Sequence, residues 1–187
     1  MSFTTTAIQS ACSAQAQYTS PLGTMLLART HAGLAGAWFI RQKDHPGELN
    51  APNRPDDPLL QRAATQFNAY FGGAKSGFDL PLELLGTPFQ RAVWQALLDI
   101  PAGSTRSYGD IARAVNRPAA VRAVGAAVGK NPLSVIVPCH RVIGASGALT
   151  GYAGGLERKV ALLRLEGAWQ DVRAMKPAQN ALFEDAA

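Results

Sequence analysis

Cys139 and His140 stand side by side in SVIVPCHRVIGASG, after a proline and an apolar run. Such a pair can ligate a metal, act as nucleophile and base, or only pack. A structural zinc needs about four donors. Beyond this pair the chain's cysteines and histidines are Cys12, His31 and His45, all in the other half and none in a Cys-x-x-Cys spacing, so no metal is expected. A lone cysteine often ends as a buried small hydrophobe. Nucleophilic chemistry instead asks for a thiolate, and a base with an orienting carboxylate raises the small fraction that a free thiol supplies near neutral pH. The polar company of Cys139 fits that demand: His140, Arg141 and the glycine-rich run GASGALTGYAGG, whose backbone N–H groups can come close to a bound group. Glu166 is a carboxylate that can hold the imidazole in the needed tautomer. Adjacent side chains on an extended strand point to opposite faces, so Cys139 and His140 touch directly only if the chain turns there, and a bridging water serves equally. On these residues alone, packing and reactivity stay evenly matched.

The elements around this pair have clear signals. TPFQRAVWQALLDI carries a complete helix start: Thr87 caps, Pro88 fits the first turn, and Gln90 completes a capping box. Phe89, Val93, Trp94, Leu97 and Leu98 form its expected buried face. Two short helices are expected over 107–115, capped by Ser107, and 118–128, ended by Gly129 and Pro132. Only NRP separates them, the spacing of a helix-turn-helix. The second reads AAVRAVGAAVG, with Arg122 as its one large side chain. A tightly packed core helix and a helix that approaches DNA closely explain that composition equally well. A last helix over 156–166 places Leu156, Val160, Leu163 and Leu165 inward and stops at Gly167. Glu166 then opposes the helix dipole, which costs stability unless the acid has another task.

The N-terminal half reads differently. MSFTTTAIQSACSAQAQ is small and polar, and a loose start is expected. YTSPLGTMLLARTHAGLAGAWFI breaks β-prone runs with turn residues, as antiparallel strands do. RQKDHPGELNAPNRPDD is a proline-bearing loop open to movement. Helical spacing over 58–71 stops at Gly72-Gly73, and an irregular connector leads to a boundary near 80–86. The expected fold is therefore α+β: an N-terminal α/β domain over 1–82 with a small antiparallel sheet, a mostly helical domain over 86–168, and a tail over 169–187. With 187 residues, 47% apolar, the chain can bury a core, and its net charge of +5 is compatible with nucleic acid without requiring it. Two cysteines exclude a disulfide framework, and no basic-then-apolar leader or bilayer-length apolar run is present, so the expected setting is cytoplasmic with no membrane partner.

Residues 86–168, with PFQRAVWQALLDIPAGSTRSYGDIARAV and VPCHRVIGASGALTGYAGGLERKVALLRLEG, closely resemble the O6-alkylguanine-DNA alkyltransferases; SPLGTMLLA and the AYFGG helix end are similar to the family's weaker N-terminal pattern. The resemblance implies a ribonuclease H-like N-terminal sheet and a methylated-DNA–protein-cysteine methyltransferase. In one irreversible SN2 step Cys139 would accept the alkyl group from O6 of guanine or O4 of thymine. The protein would be consumed, with no cofactor and no metal. His140 would be the water-linked base and Glu166 its partner. Asn131 looks like the hinge asparagine that ties the recognition helix to the active-site strand. The partner implied is double-stranded DNA carrying such a lesion, bound through the minor groove by a monomer that associates with the nucleoid. Base chemistry then requires flipping the nucleotide out. Arg122 matches the finger that fills its place in the stack, and Tyr108 matches the residue that crowds the 3' phosphate. Ala119, Ala120, Ala123 and Ala126 would permit close approach to the groove. Ser107, Val142 and Tyr152 fall at matching DNA or pocket positions.

Two departures stand out. Ala153 replaces a frequent serine, although a backbone N–H contact to the alkylated oxygen would survive the change, and Ser134 replaces a pocket-lining proline of some members. Non-repairing alkyltransferase-like proteins lack the cysteine, which is present here. A helix-turn-helix regulator would leave Cys139 and Glu166 unexplained, and a cysteine hydrolase would turn over.

Overall fold

The computed structural model describes residues 3–74 and 76–169, so the expected tail from residue 170 onward lies outside the described residues. Helix α1 (Phe3–Ala11) leads into strands β1 (Ala14–Ser20), β2 (Gly23–Arg29) and β3 (Leu34–Phe39), which pair antiparallel in the order β1-β2-β3. The β1–β2 turn is tight. Ser20 Oγ donates to Gly23 O, and Gly23 takes φ 112°, a region that glycine enters without a Cβ penalty. Strand β3 is buried along its whole length because both faces of the sheet are covered. Helix α2 (Pro58–Phe71), capped by Asp57, packs Leu60, Ala63 and Phe67 into the cluster under Leu34, Ala37 and Phe39.

The other face corrects two expectations. From Phe3 the N-terminal stretch is helical rather than loose: Ile8 of α1 and Cys12 just after it are buried in one cluster with Leu26, Ala28 and Trp38. Strand β1 also begins four residues earlier than Tyr18, with Ala14 and Ala16 turned inward between exposed or half-buried glutamines. The loop after β3 is likewise pinned. Leu49 and Ala51 close the same cluster, and Gln15 donates from its backbone to Pro52 O at 3.0 Å and from Nε2 to Ala51 O at 2.6 Å. The apolar face carrying Trp38 needs a cover, and α1 and this loop supply it.

Helices α3 (Pro88–Leu98), α4 (Tyr108–Ala114), α5 (Val121–Gly129) and α6 (Leu156–Leu165) build the second half, with short strands β4 (Arg106–Ser107) and β5 (Val142–Ile143) paired in parallel. The α+β architecture matches the expectation. The capping box of α3 forms as read: Thr87 Oγ1 accepts from Gln90 N at 3.3 Å and Gln90 Oε1 accepts from Thr87 N at 2.9 Å. Trp94, fully buried, donates to Ala127 O at 2.8 Å and fixes α3 to α5. Helix α5 starts at Val121, three residues later than expected. Asn116 takes φ 56° and Arg117 N reaches back to Ala112 O, so α4 ends in a left-handed cap and 118–120 belongs to the turn. On α6 the inward residues are Lys159, Val160, Leu162 and Leu163, whereas Leu165 is exposed and Leu156 half-buried.

Strand β3 also carries the connectors. Leu34 N donates to Pro81 O and Glu83 N to Leu34 O, drawing the connector after α2 alongside. Further along, Ala37 N donates to Pro132 O and Ser134 N to Ala37 O, each at 2.9 Å, so the segment leading to Cys139 is laid against the sheet. One apolar cluster then runs from Tyr18 and Phe67 through Trp94 to Leu162.

Because the capping box starts the helix that Trp94 anchors, Thr87→Ala is expected to cost about 1 kcal/mol and lower Tm by roughly 2–4 °C. Thermal unfolding followed by circular dichroism checks this, and an unchanged Tm would refute it.

Candidate active site

The chain does turn at Cys139. Cys139–Arg141 form one 3-10 turn, with Cys139 N donating to Val137 O and Arg141 N to Pro138 O. Just before it, Val135 takes φ 75°. A β-branched residue there is strained by about 1–3 kcal/mol, and such strain persists only where the surroundings impose it. Here the constraints are the Ser134 N bond to Ala37 O and the Val137 N bond to Leu133 O on either side.

Cys139 is 5% exposed, and Asn131 Nδ2 lies 3.0 Å from its Sγ. The same amide nitrogen donates to Val137 O at 2.7 Å, while Asn131 Oδ1 accepts from Leu133 N at 3.0 Å. One buried side chain thus joins the end of α5 to the turn that holds the thiol. Burial pushes the Cys139 pKa up; the Asn131 donor and the positive charge of Lys159 act against that rise. Lys159 is itself fully buried, its Nζ donating to Val142 O at 2.6 Å and Thr150 O at 2.8 Å, and burial lowers its pKa to about 8.

His140 is fully buried, with Nε2 2.9 Å from Glu166 Oε1. A carboxylate only accepts, so Nε2 carries the proton and Nδ1 the lone pair. Among the described residues Nδ1 has no hydrogen-bond partner. Burial holds the imidazole below its ordinary pKa of 6.5, against the pull of Glu166. Glu166 caps α6 and receives more than the histidine: Tyr70 Oη donates to Oε1 at 2.7 Å, Arg141 NH2 to Oε1 and Arg141 Nε to Oε2, both at 2.8 Å. Burial would raise its pKa, yet the hydrogen bonds and charges of His140 and Arg141 hold it well below the usual carboxylate range. Arg141 is fixed in turn by a bond from NH1 to Ile100 O.

Cys139, His140, Glu166 and Asn131 therefore come together. Tyr152 joins them: it is half-buried, its ring centroid lies 6.5 Å from that of His140, and its pKa is raised by desolvation and by the nearby Cys139. Ser134 is buried beside Val137, its Oγ donating to Gln42 Oε1 at 2.9 Å, and Ala153 O accepts from Lys43 N at 2.9 Å. Val142 follows the turn in β5, next to Arg106, and Ser107 caps α4. Tyr108 opens α4, its ring against Gly125 of α5. Arg122, Ala123 and Ala126 stand on the exposed face of α5, opposite Val124, Ala127 and Val128. Tyr70, Gln42 and Lys159 were not anticipated as site residues. Tyr70 reads as an apolar helix position, and Gln42 as part of a polar loop. A lysine between Leu156 and Val160 on the inward stripe is the one signal the sequence offered. Among the described residues no three histidine, cysteine or acidic side chains are placed to hold a metal ion.

What this cluster can do is hold a thiol away from water, bring a neutral imidazole with a fixed tautomer alongside, and keep the carboxylate behind that imidazole ionised. Comparison with known proteins places the chain in a family. Residues 15–84 match the 6-O-methylguanine DNA methyltransferase, ribonuclease-like domain, and residues 88–168 match the DNA binding domain of the same family. The methylated-DNA–protein-cysteine methyltransferase of Mycobacterium tuberculosis is 48% identical over 165 residues, covering 88% of this chain and 95% of that protein. The inducible enzyme of that name from Bacillus subtilis is 53% identical over 125 residues, 67% of this chain and 68% of its own. The crystal structure of M. tuberculosis OGT in complex with DNA superposes with a TM-score of 0.76 at 47% identity, over 83% of this chain and 94% of that one. With both family domains matched in order, and the buried cysteine, histidine and glutamate inside the second, the chain belongs to the 6-O-methylguanine DNA methyltransferase family.

Proposed function

We propose that this protein repairs alkylated DNA directly, moving the alkyl group from O6 of guanine, or O4 of thymine, onto Cys139. The observation that carries the reading is the buried Cys139–His140–Glu166 arrangement, in which the imidazole tautomer is fixed by a carboxylate 2.9 Å away. His140 Nδ1 takes the thiol proton through a bridging water. The Sγ–C bond forms as the C–O6 bond breaks, and the electron pair stays on the base, which recovers a proton. A thioether is not readily cleaved, and no second nucleophile is needed, so each molecule acts once.

DNA is the partner, met in the minor groove through α4 and α5 acting as a helix-turn-helix. The small exposed residues of α5, Ala123 and Ala126 among them, let its backbone approach the groove closely. Arg122 fills the stack once the nucleotide is flipped, and Tyr108 presses on the adjacent phosphate. Asn131 couples that helix to the thiol, and the Ala153 N–H meets the alkylated oxygen. Ser134 and Tyr152 border the base, with Ser107 and Val142 close by. The unit 1–82 then serves as scaffold and 86–168 as the reacting domain. The reading places a monomer in the cytoplasm, on the nucleoid when bound.

Three measurements test it. Incubated with a duplex bearing one O6-methylguanine, the protein should gain a single methyl on the Cys139 peptide by mass spectrometry, saturating at one per molecule and absent in Cys139→Ala. Repeated turnover, or no transfer by folded protein bound to that duplex, would sink the proposal. Since flipping opposes a few kcal/mol of stacking and pairing, Arg122→Ala should slow transfer from duplex roughly tenfold or more and from single strand far less. Equal losses would remove the finger role. The third concerns pH: His140 must be neutral to accept a proton, its pKa lies below 6.5, and that of Cys139 lies above 9.0. The single-turnover rate should therefore be level between those values and fall on the acid side only below 6.5. A rate already falling between pH 8 and 7 would contradict the assignment of His140.

A further inference from the structure

We propose that Tyr70 is a positioning residue for the transfer step: its hydroxyl, brought by α2 from the N-terminal half, fixes the Glu166 carboxylate and limits how tightly that carboxylate holds a proton on His140. The bond is 2.7 Å from Tyr70 Oη to Glu166 Oε1, the same oxygen that faces His140 Nε2 at 2.9 Å. Three donors thus share Oε1, counting Arg141 NH2. A neutral donor on a carboxylate oxygen withdraws negative charge from it, so less remains to stabilise an imidazolium. The phenol stays a donor, because burial and the Glu166 charge both push its pKa up.

The placement is specific. Tyr70 is 7% exposed, with the Phe78 ring at 5.5 Å and the Phe71 ring at 5.3 Å from its own. Tyr70, Phe78 and Leu82 from the N-terminal half line a cavity of about 660 Å³ together with Ile136, Arg141 and Glu166. On that side the tyrosine, rather than solvent, satisfies the carboxylate. The other groups acting on His140 are Arg141 and Lys159, both positive, with Cys139 adjacent in the chain and the Tyr152 ring 6.5 Å away. None of these comes from the N-terminal half, which makes Tyr70 its link to the base.

The inference deepens the assignment of His140 as base, and its test separates the two. In the full-length protein, Tyr70→Phe removes the hydroxyl and keeps the ring, while Phe78→Leu loosens the ring and keeps the hydroxyl. Tyr70→Phe should leave Glu166 a stronger partner for imidazolium. The acid limb of the single-turnover rate on an O6-methylguanine duplex, and the His140 titration followed by NMR, should both move up by about half a unit to one unit. Phe78→Leu should lower Tm without moving either. If the Tyr70→Phe curves coincide with wild type, or if Phe78→Leu moves them equally, Tyr70 is only a packing residue. A wild-type protein that transfers no methyl sinks the proposed chemistry instead, and the histidine titration judges Tyr70 in either event.

Discussion

The site is organised by one buried anion. Glu166 is the C-cap of α6, where the helix dipole already opposes a negative charge, and its side chain is only 3% exposed. An unpaired carboxylate there would be protonated rather than tolerated. The protein compensates with four hydrogen bonds, from His140, from two nitrogens of Arg141 and from Tyr70. These donors come from the turn after Pro138 and from the distant helix α2. Satisfying one carboxylate therefore fixes the imidazole, orders the turn that carries the thiol, and ties the two halves of the chain together. Removing any one donor leaves the others around a poorly compensated charge, so the cluster is cooperative in the sense that its members cannot be partitioned one by one.

A second constraint works from the opposite side. Strand β3 extends its hydrogen bonding past the antiparallel sheet, to Pro132 and Ser134 through Ala37. This parallel bridge holds the chain before the turn, and Asn131 holds it from within by bonding Leu133, Val137 and the thiol. Val135, in a left-handed conformation its side chain disfavours, is the residue caught between these ties. Sheet and carboxylate thus fix the two ends of one short segment, and Cys139 lies between them. The N-terminal half thus holds the position of a cysteine that the other half carries.

Local signals made the helices legible. The capping box at Thr87, the Ser107 cap and the Gly167 stop are chemistry within a few residues, and each appears where the sequence places it. Glu166 is legible for another reason, as an acid at a helix C-terminus, whereas Cys139 and His140 stay balanced between packing and reactivity until the family resemblance weighs them. What stayed hidden depends on distant contacts. AQAQ shows little β-propensity, and Ala14 and Ala16 become strand because β2 offers a partner and α2 a cover. The first helix and the loop after β3 are ordered by the second face of the sheet, which nothing in their own composition announces. Tyr70 and Gln42 likewise join the site through bonds spanning 96 and 92 residues of chain. The start of α5 was misplaced because Pro118 is a good first-turn residue, whereas the left-handed Asn116 and the Ala120 N bond to Arg117 O keep 118–120 in the turn.

The electrostatics suit the single transfer proposed for this protein. Burial raises the Cys139 pKa and lowers that of His140, so at neutral pH the resting pair is thiol and neutral imidazole rather than an ion pair. A standing thiolate would meet stray electrophiles, and under the proposed single transfer every such encounter would be final. Keeping the proton on sulfur until a substrate is seated protects the single equivalent. Asn131 at 3.0 Å and the buried ammonium of Lys159 favour negative charge on the sulfur as it develops. Because both are already in place, that help would need little reorganisation in the proposed proton transfer to His140. The carboxylate network supplies the other half of the separation by stabilising the imidazolium. Thiol activation is therefore conditional on a proton transfer that this geometry prepares without completing.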